Sequence, residues 1–160
     1  MWDTKEYRKT LGTFATGVTI ITTHDEGEDF GFTANSFTSV SLDPPLVLFC
    51  IKEDATFISG VSKSEVFGVN ILSNLQEHLS NKFANPALLN DQRYADTEST
   101  LSNLKCPKIR GALAYLDCKM IDMTKSGDHS IVIGQVISFE RQGDGNPLLY
   151  YGGGYRSLSD

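Results

Sequence analysis

Gly31-Phe32-Thr33-Ala34-Asn35-Ser36-Phe37-Thr38-Ser39-Val40-Ser41-Leu42-Asp43-Pro44-Pro45-Leu46-Val47-Leu48-Phe49 is the stretch on which the fold turns. Its second half reads as a strand. An apolar run from Leu46 to Ile51 follows two prolines, which suit a strand's first position and not its interior. The first half is extended as well, with Phe32, Phe37 and Val40 set among Thr33, Asn35, Ser36, Thr38, Ser39 and Ser41. Those hydroxyl and amide groups supply donors and acceptors but no ionisable side chain. Two readings stand side by side. The groups can bind the edge of a flat, neutral, polar molecule, or a phosphate through hydroxyls and backbone N–H. They can equally form the solvated face of an antiparallel strand, since threonine favours strands on its own account.

Outward from that stretch, the chain alternates short strands with inserted helices. Asp3-Thr4-Lys5-Glu6 is a capping-box variant with Asp3 as N-cap and Trp2 and Tyr7 as a staple, so a short helix is predicted to about Gly12 or Phe14. Tyr7, Leu11 and Phe14 fall on one face of it. Val18 to Thr23 is β-branched and reads as a strand, His24 to Asp29 as a hairpin tip, and Phe30 to Val40 as the returning strand. Asp54 is placed to cap a helix through Phe57, Ile58 and Val61, whose N-terminal amides and Thr56 hydroxyl form a possible phosphate cradle. Val66 to Leu72 is a strand, and Ser73-Asn74-Leu75-Gln76 is a second capping box before a helix carrying Leu75, Leu79 and Phe83. From Asn85 to Cys106 periodicity fails between Pro86 and Pro107, which predicts either a flap over a cleft or a plain surface excursion. Ala112 to Met123 and Ile131 to Arg141 form a long hairpin, Leu148 to Tyr151 a last strand, and the glycines after it an open tail. Hairpins without βαβ alternation indicate a mainly β fold, an antiparallel barrel with inserted helices.

Composition bounds the function. At 160 residues, 40% hydrophobic and 21% charged, residues 1–160 are expected to form one domain with a sizeable core. A net charge of −6 with dispersed lysine and arginine argues against nucleic acid or an anionic membrane as partner. Cys50, Cys106 and Cys118 are odd in number and read as small buried residues rather than disulfide partners or metal ligands. The charged N-terminus is not expected to be a secretory leader, and a cytoplasmic location is the expectation. Nucleophile-elbow, His-Glu-x-x-His, Cys-x-x-Cys and Walker patterns are missing from the sequence, and Gly152-Gly153-Gly154 is no dinucleotide fingerprint because no helix is predicted after it.

Four ordered blocks carry a family resemblance: Phe14-Ala15-Thr16-Gly17-Val18-Thr19-Ile20-Ile21-Thr22; Thr33 to Phe37 with Ser39-Val40-Ser41 and Asp43-Pro44-Pro45; Gly127-Asp128-His129; and Leu149-Tyr150-Tyr151-Gly152-Gly153-Gly154-Tyr155. Together they resemble the flavin reductase family of short NAD(P)H:flavin oxidoreductases, which feed reduced flavin to two-component monooxygenases. The resemblance implies a split β-barrel of Greek-key topology, usually paired as a homodimer. It also implies FMN or FAD as flavin, with NADH or NADPH as hydride donor. By the same resemblance Thr33, Ala34, Asn35 and Ser36 line the isoalloxazine edge and ribityl chain, and Ser39, Val40 and Ser41 continue that wall. Cys50, Lys52 and Thr56 reach the ribityl-phosphate region, while Asn70, Lys82, Phe83 and Ala84 close the far side. His129 lies beside the nicotinamide as the catalytic residue, and Tyr151, Gly152 and Tyr155 form the outer wall. The family's usual Ser-Gly-Lys-Tyr is replaced here by Gly152 to Tyr155, which leaves the choice between NADH and NADPH open. The alternative is a flavin-binding electron-transfer or storage protein on the same barrel that does not turn over NAD(P)H.

Overall fold

A computed structural model describes residues 2–158. Twelve strands and four α-helices follow one another in the order α1 (Thr4–Leu11), β1 (Thr16–Gly17), β2 (Thr19–Asp25), β3 (Glu28–Ala34), β4 (Thr38–Leu42), β5 (Pro45–Lys52), α2 (Phe57–Ser64), β6 (Val66–Ile71), α3 (Glu77–Ala84), α4 (Asn90–Tyr94), β7 (Ser99–Leu101), β8 (Pro107–Ile109), β9 (Ala114–Ser126), β10 (His129–Arg141), β11 (Leu149–Tyr151) and β12 (Gly154–Arg156). The fold is mainly β. Seven strands form one antiparallel sheet in the order β3-β2-β6-β9-β10-β5-β4, and β1-β11-β12 and β7-β8 form two smaller ones. Among the described residues no helix is long and apolar enough to cross a membrane.

Alternation along the strands explains where the core sits. Val47, Phe49 and Ile51 point to one face of β5 and are buried, while Leu48, Cys50 and Lys52 take the other. The inward faces of β2, β3, β5, β6, β9 and β10 share one cluster, with Ile21, Phe30, Phe49, Phe67, Cys118 and Val132 among its members, and α2 closes it with Phe57 and Val61. The aromatic rings meet edge to face, Phe49 and Phe67 at 5.0 Å between centroids. A second cluster lies on the opposite side of β2, where Val18 and Ile20 pack under Leu79 and Phe83 of α3. Strand β2 is therefore covered on both faces, which is why it reads as an unbroken β-branched run. Its buried hydroxyls all find carbonyls: Thr19 donates to Ala34 O at 2.8 Å, Thr22 to Pro107 O at 2.7 Å and Thr23 to Val66 O at 2.7 Å.

The structure corrects several expected boundaries. The single strand expected from Phe30 to Val40 breaks after Ala34 and restarts at Thr38 as β4. Asp54 does not cap α2; Thr56 holds the N-cap position without a side-chain bond. Leu75 is exposed, because it falls in a 3₁₀ turn (Asn74–Gln76) ahead of α3, whereas Leu79 and Phe83 are buried as expected. The tail after Tyr151 is not open: it turns at Gly152-Gly153 and pairs back as β12. The segment expected to be a flap or a surface excursion is a packed strap, since Tyr94 donates to Phe30 O at 2.9 Å and Arg93 to Gly31 O at 2.8 Å. Gly31 permits that approach, because a Cβ there would stand 2.7 Å from the Phe83 ring and 2.8 Å from the Tyr94 hydroxyl. The predicted N-cap, in contrast, forms as read: the Asp3 carboxylate accepts from Lys5 N and Glu6 N. The second box forms too, with Gln76 accepting from Ser73 N.

Candidate functional site

The chain break between β3 and β4 creates the site. At Cys50 the neighbouring strand has already departed, and Ser36 takes its place: its hydroxyl accepts from Cys50 N and donates to Cys50 O, both at 3.0 Å. The opening that remains is a hollow of about 320 Å³, walled by Thr33, Asn35 and Ser36 on one side and by Cys50, Lys52 and His129 on the other. Lys52 and His129 stand directly opposite each other in the β5–β10 ladder, and Cys50 opposes Ile131. Direct cross-strand partners share a face, so these side chains converge without any help from the hairpin tip.

A second hollow of about 640 Å³ shares Thr33 and Asn35 with the first. One face of α3 supplies Glu77, Ser80, Asn81 and Ala84, spaced i, i+3, i+4 and i+7, and the β11–β12 hairpin supplies Tyr150 and Tyr155. Three contacts fix Tyr155: its hydroxyl pairs with Ser80 Oγ at 2.7 Å and donates to Asn81 Oδ1 at 3.3 Å, and its ring meets Tyr150 edge to face at 5.4 Å. The Thr33 hydroxyl donates to Ser80 O at 2.6 Å and ties β3 to α3 between the hollows.

Electrostatics differ between the two ends. His129 Nδ1 lies 2.8 Å from Asp128 Oδ1, and among the described residues Nε2 has no partner. The imidazole hydrogen bond, followed by its charge, holds the Asp128 carboxyl below its usual range. Glu53 is held low as well, chiefly by the Ser130 hydroxyl that donates to it and then by Lys125, against the opposing effect of burial. Both carboxylates are thus committed to neighbours. Lys52, which makes no ion pair among the described residues, is left to give the small hollow its positive end. The Tyr155 end carries Glu77 at its margin and is otherwise lined by uncharged groups.

The expected site residues divide accordingly. Thr33, Ala34, Asn35, Ser36, Cys50, Lys52 and His129 line the small hollow, and Ala84 and Tyr155 line the larger one. Gly152 belongs to a separate hollow beside α1. Ser39, Val40 and Ser41 lie on the edge strand β4, outside all of these. Thr56 faces a cleft between α2 and the strap. Asn70 is wholly buried, donating to Ile20 O at 3.1 Å and accepting from Ile109 N at 2.7 Å, so it serves the frame. Phe83 is core, Lys82 reaches Asp96 and Thr97, and Tyr151 lines neither hollow. Sequence reading missed Tyr150, Ser80, Asn81 and Glu77. For the last three a signal existed, the polar i, i+3, i+4 face of α3.

A flat molecule with polar edges fits this donor set. Phe32, Ala34 and Ala55 add apolar lining, the Asn35 amide has one donor and one acceptor end, and Lys52 and His129 answer negative charge at one end. An antiparallel β protein with such a trough is the class that fold and site define. The chain belongs to the family described as flavin reductase like domain, whose model matches residues 11–159. It is 42% identical over 156 residues to a probable flavin reductase of Rhizobium meliloti (strain 1021), covering 97% of this chain and 49% of that one. It is 36% identical over 156 residues to a flavin-dependent monooxygenase reductase subunit, HsaB, of Rhodococcus jostii (strain RHA1), covering 98% and 78%. Among solved structures it is similar to the NADH:FAD oxidoreductase of Streptomyces globisporus C-1027 in complex with NAD and FAD fragments, with TM-score 0.92, 35% identity and coverage of 98% and 93%. The chain spans about half the length of the Rhizobium relative.

Proposed function

We propose that this chain reduces a flavin, FMN or FAD, at the expense of NADH or NADPH, and supplies the reduced flavin to a partner monooxygenase. One observation carries the reading: two hollows joined at Thr33 and Asn35, cationic at the His129 end and walled by paired tyrosines at the other. A bound flavin would supply the redox chemistry as the hydride acceptor. The chain's own part is to bind, orient and shield. The Asn35 amide meets the polar edge of the ring, and Lys52 answers negative charge on it. The Thr33 and Ser36 hydroxyls donate to the Ser80 and Cys50 carbonyls, holding this segment to α3 and to β5 so that the wall keeps its shape. His129, its Nδ1 fixed by Asp128, offers Nε2 to orient the nicotinamide, and Tyr155 with Tyr150 closes the nicotinamide side against water.

The same reading extends to architecture and setting. Residues 1–160 act as one flavin reductase-like unit, and the long sheet curls into a split barrel of Greek-key type. In support, Ser36, two residues past β3, bonds β5, and six of the strands share one core. Two copies pair: Tyr7 and Leu11 of α1, a helix that buries nothing within the chain, and Phe14 just beyond it offer apolar surface to a second copy. Three free cysteines suit a reducing cytoplasm. The supply of a monooxygenase is supported by the name of the Rhodococcus relative.

The test is turnover. Purified protein mixed with each nicotinamide and each flavin is expected to consume nicotinamide absorbance in at least one pairing, with flavin quenching on titration. Flavin binding without turnover in every pairing would leave an electron carrier instead.

A further inference from the structure

A third hollow, of about 540 Å³, opens between α1 and the β11–β12 turn, and its lining includes Thr4, Lys5, Arg8, Lys9, Gly152 and Gly153. In a chain of net charge −6 this is a local reversal of sign. Lys5, Arg8 and Lys9 stand at i, i+3 and i+4 and so share one face of α1. Lys9 is tied to Glu6 at 2.5 Å, but among the described residues neither Lys5 nor Arg8 makes an ion pair. The nearby Asp3 carboxylate is turned to the helix start, accepting from Lys5 N at 2.9 Å and Glu6 N at 3.1 Å.

The hollow is also shaped and placed. Gly152 N donates to Gly12 O at 2.8 Å, which pins α1 against the turn. Gly152 and Gly153 have φ of +61° and +81°, and a Cβ on either would meet nothing within 4 Å, so open backbone faces the cations. Gly153 also lines the Tyr155 hollow, and that hollow shares Thr33 and Asn35 with the His129 hollow. One trough thus runs from His129 past Tyr155 to Arg8. A guanidinium and an ammonium side by side with no carboxylate partner are phosphate chemistry.

We propose that this basic hollow binds the phosphate-bearing adenylate arm of a dinucleotide whose redox ring lies in the adjoining trough. The inference rests on the flavin reductase reading for the ring, but not for the arm. The arm has two possible sources, the nicotinamide donor or FAD, and the chemistry at Arg8 is the same for both.

ADP-ribose, which carries the arm without a redox ring, is the probe. Titrated calorimetrically into the full chain, it is expected to bind with an affinity that falls as salt rises. In a Lys5→Gln/Arg8→Gln double variant that affinity is expected to drop about tenfold, the scale for two exposed charge contacts. Helix α1 buries no residue, so the variant keeps its fold. Steady-state arms then assign the source. A KM rise seen with NADH and not with reduced nicotinamide mononucleotide, FMN being the acceptor, gives the hollow to the nicotinamide donor. A KM rise seen with FAD and not with FMN gives it to the flavin. Equal ADP-ribose affinity in parent and variant, or no binding by the parent, overturns the proposal. A charge-dependent ADP-ribose isotherm in a protein without turnover would support the basic hollow and overturn the flavin reductase reading alone.

Discussion

Thr33 near the end of β3, with Asn35 and Ser36 in the gap after it, makes one side of the interruption, and Ser39, Val40 and Ser41 of β4 make the other. The two sets have nearly the same chemistry and come to opposite uses. On the first side the Thr33 hydroxyl is spent on Ser80 O and the Ser36 hydroxyl on Cys50, so the frame is stitched and Asn35 is left facing the trough. On the second side β4 is the edge of the long sheet, and its serines make no side-chain hydrogen bond among the described residues. A polar side chain's role is decided by whether its geometry supplies a partner, not by its type. Asn70 and His129 extend the contrast: the first is saturated with backbone partners, and the second has one nitrogen without a partner among the described residues.

The largest effect expected from that contrast is on Asn70. Asn70→Ala strands Ile109 N in the interior and removes the amide donor to Ile20 O. A buried group left unpaired, plus a cavity, is expected to cost about 3 kcal/mol. At about 2–4 °C per kcal/mol the thermal midpoint should fall by about 6–12 °C. Material that remains folded should keep its KM for flavin and nicotinamide. A KM shift with an unchanged midpoint would return Asn70 to the ligand side.

His129→Ala should do the reverse. Its side chain is only partly buried, so stability is expected to hold within about 0.5 kcal/mol. The kcat/KM for the nicotinamide should fall about tenfold to a hundredfold, a loss of about 1.4–2.7 kcal/mol of transition-state binding. Stopped-flow reduction of the flavin checks it, and parent-like rates would remove His129 from the site.

Ser36→Ala comes next. It removes the side chain that stands in for a strand at Cys50, and about 1–2 kcal/mol of stability should go with it. Urea unfolding gives that value. Since Cys50 lines the small hollow, a weaker flavin affinity is expected alongside, which links frame to site.

Much of the frame was legible because the forces that build it are local. The β-branched run of β2, the Asp3 cap and the Ser73–Gln76 box each depend on residues within a few positions. The break after Ala34 was not legible, since nothing local distinguishes Ser36, whose hydroxyl bonds across to Cys50, from Ser41, whose hydroxyl has no partner among the described residues. The strap of residues 85–106 looked patternless because its anchors, Arg93 and Tyr94, are polar groups bonding backbone carbonyls more than 60 residues away in sequence. Likewise β12 was hidden in a glycine run whose two left-handed residues make the turn that returns it. At the site, Lys52 and His129 were read from the family resemblance, but their facing each other follows only from the β5–β10 register.

A smaller effect concerns pH. Glu53 bridges the turn after β5 to the hairpin that carries His129, through Ser130 and Lys125. Its carboxyl lies below the ordinary 4.5 when folded, mainly because the Ser130 hydroxyl donates to it. A depressed carboxyl contributes stability that is present above its ordinary value and is lost as pH falls through the folded value. The midpoint gap between the parent and Glu53→Gln should therefore be largest near neutral pH and close as the pH drops below about 4.5. A gap that widens in acid would show the sign to be wrong.

The smallest effect is the one that tests the comparison most strictly. Ser39→Ala and Ser41→Ala remove hydroxyls from an exposed edge strand that reaches neither hollow, and each should change stability by less than about 0.5 kcal/mol. Flavin affinity should be that of the parent. The same atom deleted at Ser36 is expected to cost several times more, although all three serines lie within six residues of sequence and share one composition. If Ser41→Ala instead weakened flavin binding as much as Ser36→Ala, β4 would have to move onto the trough in the working protein. The edge strand would then be part of the binding wall, and the division drawn at Asn35 would fail.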